Sequence, residues 1–144
     1  MKLTSPAFKA GEKIPQKFTC EGRDVNPPLV IEHIPEGTQS LALIVDDPDA
    51  PGGWVHWILF NVSPKTTTIK EDSQPGDQGT NDFGRLDYGG PCPPSGKHTY
   101  YFRIYALGTT LNVGTGVKQD ALERAMKGHI LQQTELTGTY QKKS

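Results

Sequence analysis

The sequence predicts a mainly β protein, an antiparallel sandwich or barrel with one peripheral helix, and three observations point there. Glycine (16) and proline (12) make up 28 of the 144 residues, far above the average share of about 12%, so much of the chain is turn. Between the turns lie short segments rich in β-branched and aromatic residues. One of them, residues 99–107, alternates cleanly: Tyr100, Phe102, Ile104 and Ala106 share one face, while Thr99, Tyr101, Arg103 and Tyr105 share the other.

Taken in order, strands are expected at residues 28–31, 40–46, 54–62, 99–107 and, less distinctly, 130–140. The stretch VKQDALERAMK keeps Val117, Ala121, Leu122 and Ala125 at helical spacing, allows a Glu123–Lys127 pair and runs into Gly128, a common helix stop. Residues 63–88 show no clear periodicity and are long for a simple loop. They are expected to wall a pocket, to support a partner surface, or to form a mobile surface excursion. One domain spanning residues 1–144 is expected, a length sufficient to enclose a core.

Charge and composition exclude some function classes. Fifteen Lys and Arg against 16 Asp and Glu leave a formal charge of -1, so no basic field gathers nucleic acid over distance. No apolar run is long enough to span a bilayer, and the opening MKLTSPAFKAGEKIP lacks the pattern of a secretory signal. A cytoplasmic address is expected. Cys20 and Cys92 lie outside any CxxC arrangement. That spacing favours reduced structural thiols, with a single Cys20–Cys92 bond left open.

Two segments carry candidate chemistry. In DDPDAPGGWVH, prolines restrict a loop holding Asp46, Asp47 and Asp49 just before a strand with His56. In YGGPCPPSGKHTY, Gly89 and Gly90 allow close backbone approach, Pro91, Pro93 and Pro94 stiffen it, and His98 and Tyr100 enter a second strand. By strand parity His56 groups with Trp54, Ile58 and Phe60, and His98 with Tyr100, which places both imidazoles at the ends of buried faces. Aspartates in such loops commonly serve only the turn. Beside two histidines and a tyrosine they also suit a zwitterionic or phosphorylated ligand, an anion being met by imidazolium and hydroxyl donors. The competing class is a hydrolase, with Cys92 as nucleophile and His98 as base, or with a metal held by Asp47, His56 and His98.

DDPDAPGGWVHW followed by GGPCPPSGKHTYYFRIYAL, together with SPAFKAGEKIPQKFTCEG, NPPLVIEHIPEGTQSLALIVDDPDAP and AMKGHILQQTELTGTY, resembles the phosphatidylethanolamine-binding proteins, also called Raf kinase inhibitor-like proteins, in their bacterial and archaeal branch. The resemblance covers nearly the whole chain. It implies an antiparallel β-sandwich with a peripheral C-terminal helix and a small anion-binding cavity at one end. Its ligand-binding residues map to Asp47, Asp49, His56, Gly90, Pro91, His98 and Tyr100. It further implies a non-catalytic regulator without a cofactor, a kinase or protease as partner, and a homodimer. Two departures are Thr99, where arginine is common, and Ile31, where an aromatic residue is frequent. No long apolar groove suited to acyl chains is evident in the sequence.

Overall fold

The architecture, described for residues 1–143 in a computed structural model, is two antiparallel sheets with one helix. The small sheet joins β1 (Lys2–Thr4), β2 (Leu29–Glu32) and β5 (Thr68–Ile69), in the order β1-β2-β5. The large sheet joins β3 (Ser40–Asp47), β4 (Trp54–Val62), β6 (Asp77–Gln78), β7 (Lys97–Leu107) and β8 (Ile130–Gln141), in the order β6-β4-β3-β7-β8. The helix α1 covers Gln119–Met126.

The central strands β3 and β4 are buried along nearly their whole length, because both faces of the large sheet are covered. On one face Leu41, Leu43, Val45, Trp57 and Leu59 meet Leu29 and Ile31 of the small sheet. On the other, Ala42, Ile44, Ile58 and Phe60 lie under Leu122 and Met126 of α1. Burial on both sides is why SLALIV and WILF read as continuous apolar runs rather than as alternation. Strand β7 alternates as its sequence predicts, with Tyr100, Phe102, Ile104 and Ala106 buried. Ile31, one of the two departures, fills the core at 1% exposure.

The helix is shorter than its sequence pattern, and the i,i+4 ion pair it carries is Asp120–Arg124 rather than Glu123–Lys127. Lys127 is already its C-cap, and Gly128 turns the chain in the left-handed region at φ 85°. Residues 63–88 form β5 and β6 and are tied down, so the mobile-excursion expectation does not hold. Asn81 is the main anchor: its amide donates to the His56 and Asp87 carbonyls, and its oxygen accepts from the Phe83 and Arg85 backbone N–H groups.

The expectation of reduced thiols is also overturned. Cys20 and Cys92 form a disulfide across 72 residues, which the extended turns around them allow by bringing residues 15–24 against residues 89–93; the Cys20 N–H donates to the Pro91 carbonyl at 3.1 Å. No described helix is long and apolar enough to cross a membrane.

Candidate functional site

The β3–β4 hairpin is the first wall. Gly52 and Gly53 both take left-handed backbone, at φ 74° and 75°, where a side chain would be strained. Asp47 closes the same turn, its Oδ1 accepting the Asp49 N–H at 2.8 Å. Asp49 then reaches across to β7, where its Oδ2 accepts the Thr99 N–H at 2.8 Å. The turn role and the site role of Asp47 coexist, since its other oxygen accepts from His98 Nδ1 at 2.6 Å.

His56 arrives by a route that parity does not foresee. Val45 pairs with Trp57, yet Asp46 pairs with Val55, so β4 carries one extra residue there, and that residue is His56. A bulge of this kind breaks the period of two and re-aims a side chain. Val55 and Ile58 face the helix side, whereas the His56 ring meets the Tyr100 ring edge-on at 5.3 Å, on the side of Trp57. The parity expectation that grouped His56 with Ile58 and Phe60 is thus corrected. The ring is locked because Nδ1 donates to the Gly89 carbonyl at 2.6 Å; a carbonyl can only accept, so Nε2 carries the lone pair in the neutral ring.

These elements enclose a cavity of about 270 Å³. Four of the candidate residues line it: Asp47, His56, His98 and Tyr100. Three do not. Asp49 holds the turn against β7. Gly90 sits behind the wall, its N–H donating to Asp24 Oδ1 at 2.7 Å, and Pro91 lends its carbonyl to Cys20. The cavity mouth holds residues that the sequence did not mark as lining. Trp54 and Phe83, each 38% exposed, meet edge-on at 5.5 Å, and Phe83 meets His56 at 5.4 Å. Pro51, Pro93 and Pro94 also line the cavity. Phe83 comes from residues 63–88, where its NDFG context signals only a turn.

The electrostatics follow from burial. His56 is only 3% exposed, and this desolvation lowers its pKa below the usual imidazole value, opposed by the Gly89 hydrogen bond and the Asp47 charge. Burial, reinforced by Asp47, pushes the Tyr100 hydroxyl up, so it stays protonated. That hydroxyl is buried and has no hydrogen-bond partner among the described residues. The Cys92 amide lies near enough to lower its pKa slightly but outside hydrogen-bonding geometry. An unpaired buried hydroxyl costs about 1–3 kcal/mol.

The two catalytic alternatives lose their geometry here. Cys92 lines the cavity but is bonded to Cys20, so it has no thiol to act as nucleophile. No group of three His, Cys, Asp or Glu side chains among the described residues is arranged to hold a metal. Asp47 already spends one oxygen on the Asp49 N–H and the other on His98.

A pH dependence of stability follows from His56. Its pKa is depressed in the folded state, so below the ordinary value of 6.5 the unfolded chain binds more protons than the native one, and stability falls as pH falls. Above that value the contribution is flat. Unfolding midpoints in urea should therefore drop between pH 7.5 and 5, and His56→Gln should remove part of that slope.

The fold and the cavity together define the class: a two-sheet β protein with a preformed, aromatic-mouthed cavity at the end of its larger sheet. The chain belongs to the phosphatidylethanolamine-binding protein family, whose sequence profile matches residues 4–141. It is 48% identical to a UPF0098 protein of Pyrococcus horikoshii over 96% of this chain and 76% of that one. It is 47% identical to a UPF0098 protein of Chlamydia muridarum over 98% of this chain and 99% of that one. Among solved structures it is similar to a phosphatidylethanolamine-binding protein homologue of Chlamydia trachomatis, at TM-score 0.95 and 44% identity, covering 98% and 97% of the two chains. It is also similar to Escherichia coli YbcL, described as a new member of the mammalian family, at TM-score 0.91 and 33% identity, covering 99% and 98%.

Proposed function

We propose that this protein is a non-catalytic, small-ligand-binding regulator whose cavity takes the anionic head of a small molecule, phosphate or carboxylate in kind. The observation that carries this reading is the convergence of Asp47, His56, His98 and Tyr100 on one cavity, with the Tyr100 hydroxyl left without a hydrogen-bond partner among the described residues. Family membership supports a binding role in general. In this reading Tyr100 donates to the anion, Asp47 holds His98 in register through Nδ1, and His98 and His56 each become a further donor by taking up a proton at Nε2. Asp49, Gly90 and Pro91 build the walls. A kinase, a protease or a second copy of the chain as downstream partner is a further part of this reading, supported by family analogy alone.

The test is titration with sulfate, inorganic phosphate and phosphoethanolamine, followed by tryptophan fluorescence and calorimetry. Saturable binding is expected, weakened in His56→Ala and in His98→Ala. Sulfate keeps its charge between pH 8 and 5.5, so tighter sulfate binding at the lower pH would report proton uptake by the protein. No saturable response to any of the three, at either pH, ends this reading.

Tyr100→Phe separates binding from folding. Deleting an unpaired buried hydroxyl should leave stability unchanged or slightly raised, while anion affinity falls about tenfold for the loss of one good hydrogen bond. Urea unfolding and the sulfate titration, run on the same preparation, check the pair of effects.

A further inference from the structure

The polar inventory of the cavity is small and sits at its floor: Asp47 with His98, His56, and the Tyr100 hydroxyl. No lysine or arginine is among the described residues lining it. Asp47 offsets the charge of a protonated His98, so the one further positive charge on offer is a protonated His56. One such charge balances a monoanion and leaves a dianion half uncompensated in a poorly solvated space.

The rest of the cavity is apolar. Trp54 and Phe83 lie edge-on to one another at 5.5 Å, Phe83 continues to His56 at 5.4 Å, and Pro51, Pro93 and Pro94 also line the space. An apolar cavity of about 150 Å³ is enough to hold a benzene ring. At about 270 Å³, this one has room for a ring and an acidic head together, and far more room than an inorganic anion needs. Both aromatic residues at the mouth stay 38% exposed, and a flat occupant would meet them in the edge-to-face geometry that aromatic pairs prefer.

We propose that the cavity selects a small monoanion carried on an aromatic ring, of the aryl carboxylate class, with the acid at the Tyr100 floor and the ring between Trp54, Phe83 and the prolines. The inference rests on the anion reading above and adds the chemistry of the stem. Burial of His56, which disfavours its charged form, fits a site that charges only when the acid arrives.

The test is calorimetric titration at pH 7 and fixed ionic strength with four pairs of probes: acetate against benzoate, inorganic phosphate against phenyl phosphate, benzoate against cyclohexanecarboxylate, and benzoate against phenyl phosphate. Benzoate should bind at least tenfold more tightly than acetate, the gain expected from burying one ring, and more tightly than cyclohexanecarboxylate or phenyl phosphate. In Trp54→Ala and Phe83→Ala the benzoate-to-acetate ratio should fall toward one, with Phe83→Leu intermediate, and circular dichroism confirming the fold of each. If acetate and phosphate bind and benzoate gains nothing over acetate, the ring is wrong while the anion reading stands. Equal binding of cyclohexanecarboxylate overturns aromatic selection, and tighter phenyl phosphate overturns the monoanion. If no probe binds, both readings fall together.

Discussion

Replacing Cys20 and Cys92 together by serine is expected to lower the unfolding free energy by about 4 kcal/mol, because the bond closes a loop across 72 residues that the unfolded chain would otherwise explore. For a protein of this size that corresponds to a fall of roughly 12 °C in the thermal midpoint. Treating the wild type with a phosphine reductant should reproduce the effect, since both half-cystines are exposed. Binding should suffer as well. Cys92 lines the cavity and precedes Pro93 and Pro94, so losing the bond frees that wall to move and raises the ordering cost of any occupant. Unfolding midpoints in urea that match for the oxidised protein and the double variant would show that the bond contributes nothing.

The second large effect is expected at Gly90. A methyl group there would lie 2.6 Å from Asp24 Oδ1 and 2.9 Å from the Thr19 Cα, and would also run into the Phe18 carbonyl. Two of these three neighbours are backbone, held in place by the Gln16–Phe18 turn and the adjoining disulfide, and cannot step aside. Gly90→Ala should therefore cost about 3 kcal/mol, from overpacking and from the disturbed bond between the Gly90 N–H and Asp24. The same displacement would drag the neighbouring Gly89 carbonyl off His56, so anion affinity should fall with stability. Gly114→Ala is the matched control: nothing lies within 4 Å of its added carbon and its φ is not positive, so it should be neutral or slightly stabilising. If the two variants unfold at the same urea concentration, the close packing of Gly90 is refuted.

Much of the fold was legible because its signals are local. The alternation of β7 survives intact, and the unbroken apolar runs of β3 and β4 mark strands covered on both faces. The short strands β1, β5 and β6 carry too few residues to show a period, and they form because the large sheet and the core beneath it hold them. The helix was visible from its spacing, but its end was set by where Lys127 leaves helical geometry.

The candidate site was legible only in part. The motifs and the family resemblance named Asp47, His56, His98 and Tyr100, which the structure brings to one cavity. They could not tell lining from support: Asp49, Gly90 and Pro91, named beside them, stand behind the residues that line the cavity. Phe83 was invisible because the loop that carries it is shaped by Asn81, a residue whose four backbone hydrogen bonds depend on the finished fold. The Cys20–Cys92 pairing could only be left open for the same reason: half-cystines 72 residues apart meet only after both loops have docked. The bond also bears on the expected cytoplasmic address, since disulfides persist mainly in oxidising compartments or in proteins of hyperthermophiles.

The extra residue in β4 makes the make-up of the cavity wall depend on a count. A chain lacking one residue between Val55 and Trp57 could still zip its hairpin without interruption and keep both oily layers filled. Its imidazole would be gone from the chamber, and the hydroxyl of Tyr100 would face an emptier room. Length at that point, as much as the identity of the amino acid, decides whether an imidazole reaches the cavity.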